Sequence, residues 1–435
     1  MGRGTLPNAG SRRHALDDRR FRSLLLALAG LPVGGFYVWR GLVEPLWKGE
    51  GLGDFRESYL PAAARLAAGH DPYDLTLALY SPVPSGPWYA QPPLMAWALQ
   101  PLLGWPEPAQ EWLVILSAQL SLALFLVCLY RALRVRDWQL GALVALAAVS
   151  FQPVLANIFE GQVNLVLLGL SGVFLLAWVE GDRWWGGAAL AAGVSLKLLQ
   201  SPSVLLVFWG RRWRMLAAGA VTGLLLAAIA APQYLPGYLL RVLPAISGGT
   251  GFFENHSPGG TIARLLVPAS FFGQVRGNTP PVAVLTVLLA LGALAVTAWT
   301  LRAPSGLRWP RALEVAAAVA VGPLVASYSW GTHMVLLLLP MLVLLAWSIR
   351  RSNWPVFALV AAGWFLLGPM QVVFENALQG GVRDYLLLRL LAEHGVLGVT
   401  AVWAAALLAN RADAADQHRA QQQEEDRARE DHAVA

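Results

Sequence analysis

Of this 435-residue chain, 56% is hydrophobic and only 13% charged, so the ionisable side chains stand apart from their surroundings. Asp54 opens the stretch G-D-F-R-E-S-Y-L, with Glu57 three residues on. That D-x-x-E spacing is a helix N-terminus in which each side chain answers an exposed backbone N–H. The same carboxylate, held at a membrane surface, is also suited to take a proton from an acceptor hydroxyl. Spacing alone leaves both readings standing. In E-G-Q-V-N, Gln162 and Asn164 sit at the start of an apolar run, where amides either bond sugar hydroxyls or cap the helix or join helices by polar contacts. Lys197 lies in L-K-L-L-Q-S-P. An ammonium in apolar surroundings either snorkels to the surface or faces an aqueous cavity, where a phosphate is a reasonable partner. The Gly-rich loop 248–261 carries Asn255 and His256 and leads into T-I-A-R-L-L with Arg264. Free N–H groups and a guanidinium there suit a phosphate, although a plain surface turn is the commoner use of such a composition. His333 ends the turn S-W-G-T-H, as an interfacial polar residue or a substrate contact. No second His lies at ligand spacing from His256, so neither metal nor cofactor is expected.

The elements that must position these residues are membrane helices. Apolar windows of span length fall near 23–43, 109–130, 138–157, 162–179, 213–232, 280–301, 311–329, 332–349, 354–373 and 386–409. The interval 187–210 reads as two short helices, 187–199 and 202–210, that dip into the membrane and return. Pro202 breaks them, because it removes a donor and disfavours helix in the residue before it. With that hairpin, Arg12 and Arg13 at the N-terminus and the clusters at Arg131, Arg183, Arg211, Arg302, Arg350 and Arg411 all fall on the cytoplasmic side. The expectation is an all-α polytopic protein of about 11–12 membrane segments. Residues 1–22 form a basic cytoplasmic N-terminus, 23–409 one multi-pass domain with outer loops 44–108 and 233–279, and 410–435 a charged, solvated or disordered cytoplasmic tail. Phe55, Tyr59, Ala62, Ala63 and Leu66 make one apolar stripe, which predicts a helix lying on the outer surface. A second interfacial piece follows Pro92-Pro93, anchored by Trp97 and Trp105. The net charge of +6 is scattered in short clusters between apolar runs, so topology explains it and nucleic acid is not an expected partner. Cys128 lies within an apolar run and reads as packing.

The order of these motifs resembles glycosyltransferase family 87, the polyprenyl-phosphate-sugar-dependent membrane transferases of the GT-C class. It runs from the first-loop acid through L-A-A-G-H-D-P-Y-D, Pro-Pro before an interfacial helix, G-Q-V-N-L, a Lys before a Pro-broken hairpin and N-H-S-P-G-G-x-x-x-R to S-W-G-T-H. The resemblance covers roughly residues 23–345. It implies an inverting transfer of a sugar, mannose by family precedent, from a lipid phosphate to a lipid or glycan acceptor outside the cytoplasmic membrane, usually without metal. It further implies Asp54 as general base and Lys197 and Arg264 on the donor phosphate. Gln162, Asn164, Asn255, His256, His333 and Tyr59 would line the sugar and acceptor sites. Gln91 stands where the family usually has an aromatic residue before Pro-Pro, with Tyr89 as the substitute.

Two other readings share these features. A polyprenyl-lipid flippase also needs a broken hairpin and a buried cation, but should spread polar residues through both halves of the membrane and show an internal repeat. A ligase or polymerase acting on glycan-diphosphate lipids would carry more arginines in its outer loops than Arg56, Arg65, Arg241, Arg264 and Arg276.

Overall fold

A computed structural model describes residues 19–47, 51–73, 89–244, 250–271, 279–301, 308–379 and 385–434. These form helices and turns, with no β-strand among the described residues. In chain order the main helices are α1 (Arg19–Val38), α2 (Leu60–Ala67), α3 (Pro93–Leu99), α4 (Glu107–Leu133), α5 (Trp138–Ser150), α6 (Gln152–Glu160), α7 (Asn164–Val179), α8 (Trp184–Leu196) and α9 (Ser201–Trp209). They continue with α10 (Trp213–Ile229), α11 (Pro258–Leu266), α12 (Pro280–Thr300), α13 (Arg308–Ala320), α14 (Leu338–Arg351), α15 (Trp354–Leu367), α16 (Pro369–Gln379), α17 (Tyr385–Ala392) and α18 (His394–Val434). Six helical stretches are long and apolar enough to cross a membrane, or up to eight if each of two bent pairs is one span. The protein is therefore an all-α polytopic membrane protein. The other expected spans are present as shorter helices. Thirteen of the sixteen residues of α7 are buried, so protein rather than lipid surrounds it. In α13 the buried Glu314 accepts from Trp178 Nε1 at 2.8 Å, which interrupts an otherwise apolar segment.

The expected hairpin is present as α8 and α9, broken at Lys197–Gln200. Its open end is fixed by Asp182, whose carboxylate accepts from the backbone N–H groups of Arg214 and Met215 at 3.0 Å. The start of α8 thus sits beside the start of α10, and Gly187 lets the two backbones meet where any Cβ would strike Met215. At the closed end, Gln200 Nε2 donates to Leu167 O at 2.5 Å and Ser171 Oγ at 2.6 Å, folding the tip against α7.

The basic residues and the acidic cavity fall in two separate groups of contacts. At one end lie Arg22 paired with Asp137 at 2.6 Å, Arg212 over Trp178 at 4.9 Å, Arg351 paired with Asp413 at 3.2 Å, and Arg411 over Trp299 at 5.0 Å. The other end gathers Asp54, Glu160, Lys197 and His333 around one cavity. From 410 the segment expected to be a charged, solvated or disordered tail continues α18 as helix to Val434, and its first turn is held by the buried Asp413, which also takes Trp347 Nε1 at 3.5 Å. Of the basic residues named from sequence, Arg12, Arg13, Arg276 and Arg302 lie outside the described residues.

Candidate active site

A cavity of about 750 Å3 opens at the acidic end, lined among others by Asp54, Tyr59, Gln162, Lys197 and His333. Asp54 is brought there by a tight junction between two turns. Leu52 takes a left-handed backbone, φ 64°, and its N–H donates to Phe159 O. Gly161 is also left-handed, φ 65°, and a Cβ on it would come within 2.8 Å of Phe55 Cβ, so only glycine lets the Asp54 turn close on the 160–162 turn. Phe55 and Tyr59 are buried beneath, as the apolar stripe predicts. The cap reading of Asp54 does not hold. Its backbone is already helical, φ −64° and ψ −34°, and its side chain makes no capping bond. The carboxylate instead faces the cavity without a hydrogen-bond donor among the described residues. Burial pushes its pKa above the ordinary carboxylate value; Lys197 pulls it back and Glu57 adds to the rise.

Lys197 ends α8 in an extended conformation, φ −161°, and is buried. It does not snorkel: its Nζ donates to Gln162 Oε1 at 3.2 Å and otherwise faces the cavity. The same amide oxygen accepts from the Tyr59 hydroxyl at 2.8 Å and from Asn164 Nδ2 at 3.4 Å. His333 is held by its own turn, with Nδ1 accepting from Trp330 N at 3.3 Å, which leaves the neutral ring's proton on Nε2.

The structure places the remaining expected site residues elsewhere. Arg264 is not on the cavity wall but inside the protein, where it pairs with Glu393 at 2.8 Å and donates to the carbonyls of Phe252 and Asn255 at 3.2 and 2.9 Å. Its guanidinium is spent on the fold, not offered to a phosphate. Asn255 clamps the loop, donating to Thr250 O at 2.8 Å and accepting from Ser329 N at 3.0 Å. The loop's glycines serve packing: a Cβ on Gly260 would strike Asn255 O, and one on Gly251 would strike Ser270. Gly248 and Gly249 lie outside the described residues. His256 is buried with its ring 4.9 Å from that of His394. Asn164 is likewise buried and donates to Thr332 O at 3.3 Å, tying α7 to the His333 turn. Tyr89 is turned inward, donating to Pro92 O at 2.6 Å and stacked 5.5 Å from Tyr73, while its neighbours Ala90 and Gln91 reach the cavity.

Sequence reasoning missed several wall residues, among them Tyr238, Glu254, Gln371 and Glu375. Glu254 stood next to the asparagine of a motif already singled out. Burial, with Glu375 and Asp54 adding to it, raises its pKa to about 7. Gln371 and Glu375 come from α16, in a region that matched no motif, and Gln371 Nε2 donates to Glu375 Oε1 at 2.7 Å. Among the described residues no group of three or more His, Cys, Asp or Glu is placed to hold a metal ion.

Known proteins share this chain's pattern. A polyprenol-phosphate-mannose-dependent alpha-(1-2)-phosphatidylinositol mannoside mannosyltransferase from Mycobacterium tuberculosis is 27% identical over 384 residues, 83% of this chain and 84% of that protein. A protein of the same name from Mycolicibacterium smegmatis is 29% identical over 240 residues, so that match spans about half the length of each, 52%. The description of glycosyltransferase family 87 matches residues 89–327, which takes in Lys197, the hairpin and Glu254, and leaves Asp54 to be placed by the structure. With more than half of its length matched, the chain belongs to glycosyltransferase family 87.

Proposed function

We propose that the protein is an inverting glycosyltransferase that moves a sugar, mannose on the strength of the relatives' names, from a polyprenyl-phosphate carrier to a hydroxyl of a lipid or glycan acceptor. The observation that carries this reading is the pair formed by Asp54 and Lys197 on one cavity wall, a carboxylate without a hydrogen-bond donor among the described residues and a buried ammonium with protons to give. Asp54 takes the proton of the acceptor hydroxyl as its oxygen attacks the anomeric carbon. The bond from that carbon to the phosphate oxygen breaks on the opposite face of the sugar, and the electron pair leaves with the phosphate. Lys197 neutralises the charge that develops there. A phosphate ester is an adequate leaving group, so positioning and charge neutralisation do most of what the protein must supply. The separation of basic and acidic ends supports a cavity on the extracytoplasmic side of the cell membrane with both termini in the cytoplasm.

The test is to incubate the purified protein in lipid with radiolabelled polyprenyl-phosphate sugars and membrane-extracted acceptors. Donor-dependent labelling of an acceptor is expected. Movement of the carrier between leaflets without a new glycosidic product would overturn the assignment in favour of a flippase.

A further inference from the structure

Gln162 is expected from sequence to touch the sugar or acceptor, and in the structure its amide is bonded to Lys197. Its Oε1 receives Lys197 Nζ at 3.2 Å, the Tyr59 hydroxyl at 2.8 Å and Asn164 Nδ2 at 3.4 Å. An ammonium only donates, so the atom facing Lys197 is the amide oxygen, and the orientation of the group follows from chemistry. With the oxygen turned to those donors, the Nε2 amino group points the other way, and it meets no acceptor among the described residues. Gln162 and Lys197 both line the cavity. The Gln162 amide and the Lys197 ammonium are thus neighbours on the wall of one cavity, with no carboxylate within ion-pair distance of Lys197 among the described residues.

We infer that Gln162 is a positioning residue for the donor: its oxygen anchors the Lys197 ammonium, and its amino group gives the leaving phosphate a second, neutral donor. Together they make a two-point cradle for a phosphate monoester or diester oxygen, on the donor side of the cavity rather than the acceptor side. This rests on the transferase reading above for what the phosphate belongs to, but its test does not. Tyr59 and Asn164 then act through Gln162, holding the amide in the one orientation that serves both tasks.

The experiment measures equilibrium binding of a polyprenyl monophosphate, and of the same polyprenol without phosphate, to the full-length protein in nanodiscs. The variants are Gln162→Glu and Gln162→Leu. Gln162→Glu keeps an acceptor for Lys197 and Tyr59, and so keeps the fold, but replaces the inward NH2 with an oxygen. It is expected to lower the preference for phosphate over bare polyprenol at least tenfold, the loss typical of a hydrogen bond to a charged group turned repulsive. Gln162→Leu also releases the ammonium and should lower it further. In transfer assays both variants raise the donor KM and leave the acceptor KM in place. An unchanged phosphate preference in Gln162→Glu, or a rise confined to the acceptor KM, would overturn the assignment. A wild-type protein that prefers the phosphate but transfers no sugar would sink the transferase reading and leave the cradle standing.

Discussion

Replacing Asp54 with asparagine separates a chemical role from a structural one, because the structure gives its side chain nothing structural to lose. The residue is helical already and makes no cap bond, so neither Asp54→Asn nor Asp54→Ala removes the ~1 kcal/mol that a true cap supplies. Both variants should melt within a degree or two of the wild type and of each other, since the turn is held instead by Leu52, Gly161 and the buried Phe55. Turnover should respond very differently. Loss of a positioned general base lowers kcat by roughly 10²–10⁴-fold. That range corresponds to ~3–5.5 kcal/mol of transition-state stabilisation. The donor KM should hold steady or fall slightly, because the change also removes a negative charge from the cavity that receives the phosphate. Steady-state transfer from a polyprenyl-phosphate sugar, with melting followed in parallel, reads both effects, and Glu57→Gln at an exposed neighbour serves as a control that should stay near wild type. If Asp54→Asn keeps a third or more of wild-type kcat, the carboxylate is not the base and the mechanism above is wrong.

Other perturbations probe the rest of the site. Because burial raises the Asp54 pKa, kcat/KM should fall on the acid side with a midpoint above the ordinary carboxylate value, activity being present above it and lost below; Glu57→Gln should move that midpoint down in a pH–rate profile. Lys197→Gln should raise the donor KM by about ten- to a hundredfold, the worth of a hydrogen bond to a charged group, with acceptor KM little changed. Arg264→Met leaves Glu393 without its buried partner and should cost about 3–5 kcal/mol, seen as a lower melting temperature, while Arg264→Met with Glu393→Met recovers much of it. Gly161→Ala forces a Cβ against Phe55 at a left-handed φ and should cost about 1–3 kcal/mol while lowering kcat, through displacement of Asp54.

What the sequence made legible is what short-range physics controls. Leu198–Pro202 announces a break in an apolar segment, and the break is there, with Lys197 at its tip. The Phe55–Leu66 stripe announces a one-sided helix, and its apolar residues are buried. Arg264 was misread because the partner that neutralises it, Glu393, lies 129 residues away on another element, and no local pattern records such a pair. The glycines of 248–261 looked like a phosphate loop because free backbone and close packing call for the same residue; the contacts at Gly251 and Gly260 show which applies. Glu375 was invisible for a similar reason, since it meets Glu254 only across the folded cavity wall and no local pattern marks it.

These long-range contacts also say why α16 belongs to the site, and why Glu393 supports it, although both lie beyond the matched family segment. Glu393 neutralises Arg264, and with Arg264 settled the Asn255 loop keeps its carbonyls in place and presents Glu254 to the cavity. Glu375 stands on the same wall and, after burial, is the main cause of the raised Glu254 pKa. Four acidic side chains, Asp54, Glu160, Glu254 and Glu375, therefore share the cavity wall with one ammonium, Lys197, among the described residues, and with its pKa near 7 Glu254 is only partly ionised at neutral pH. Among the described wall residues Lys197 is the group that attracts a phosphate, while the acidic side chains, ionised or protonated, can hydrogen-bond uncharged sugar hydroxyls. In the proposed transfer a charged phosphate and neutral hydroxyls are thereby drawn to different groups of one wall, which Asp54 shares with Lys197.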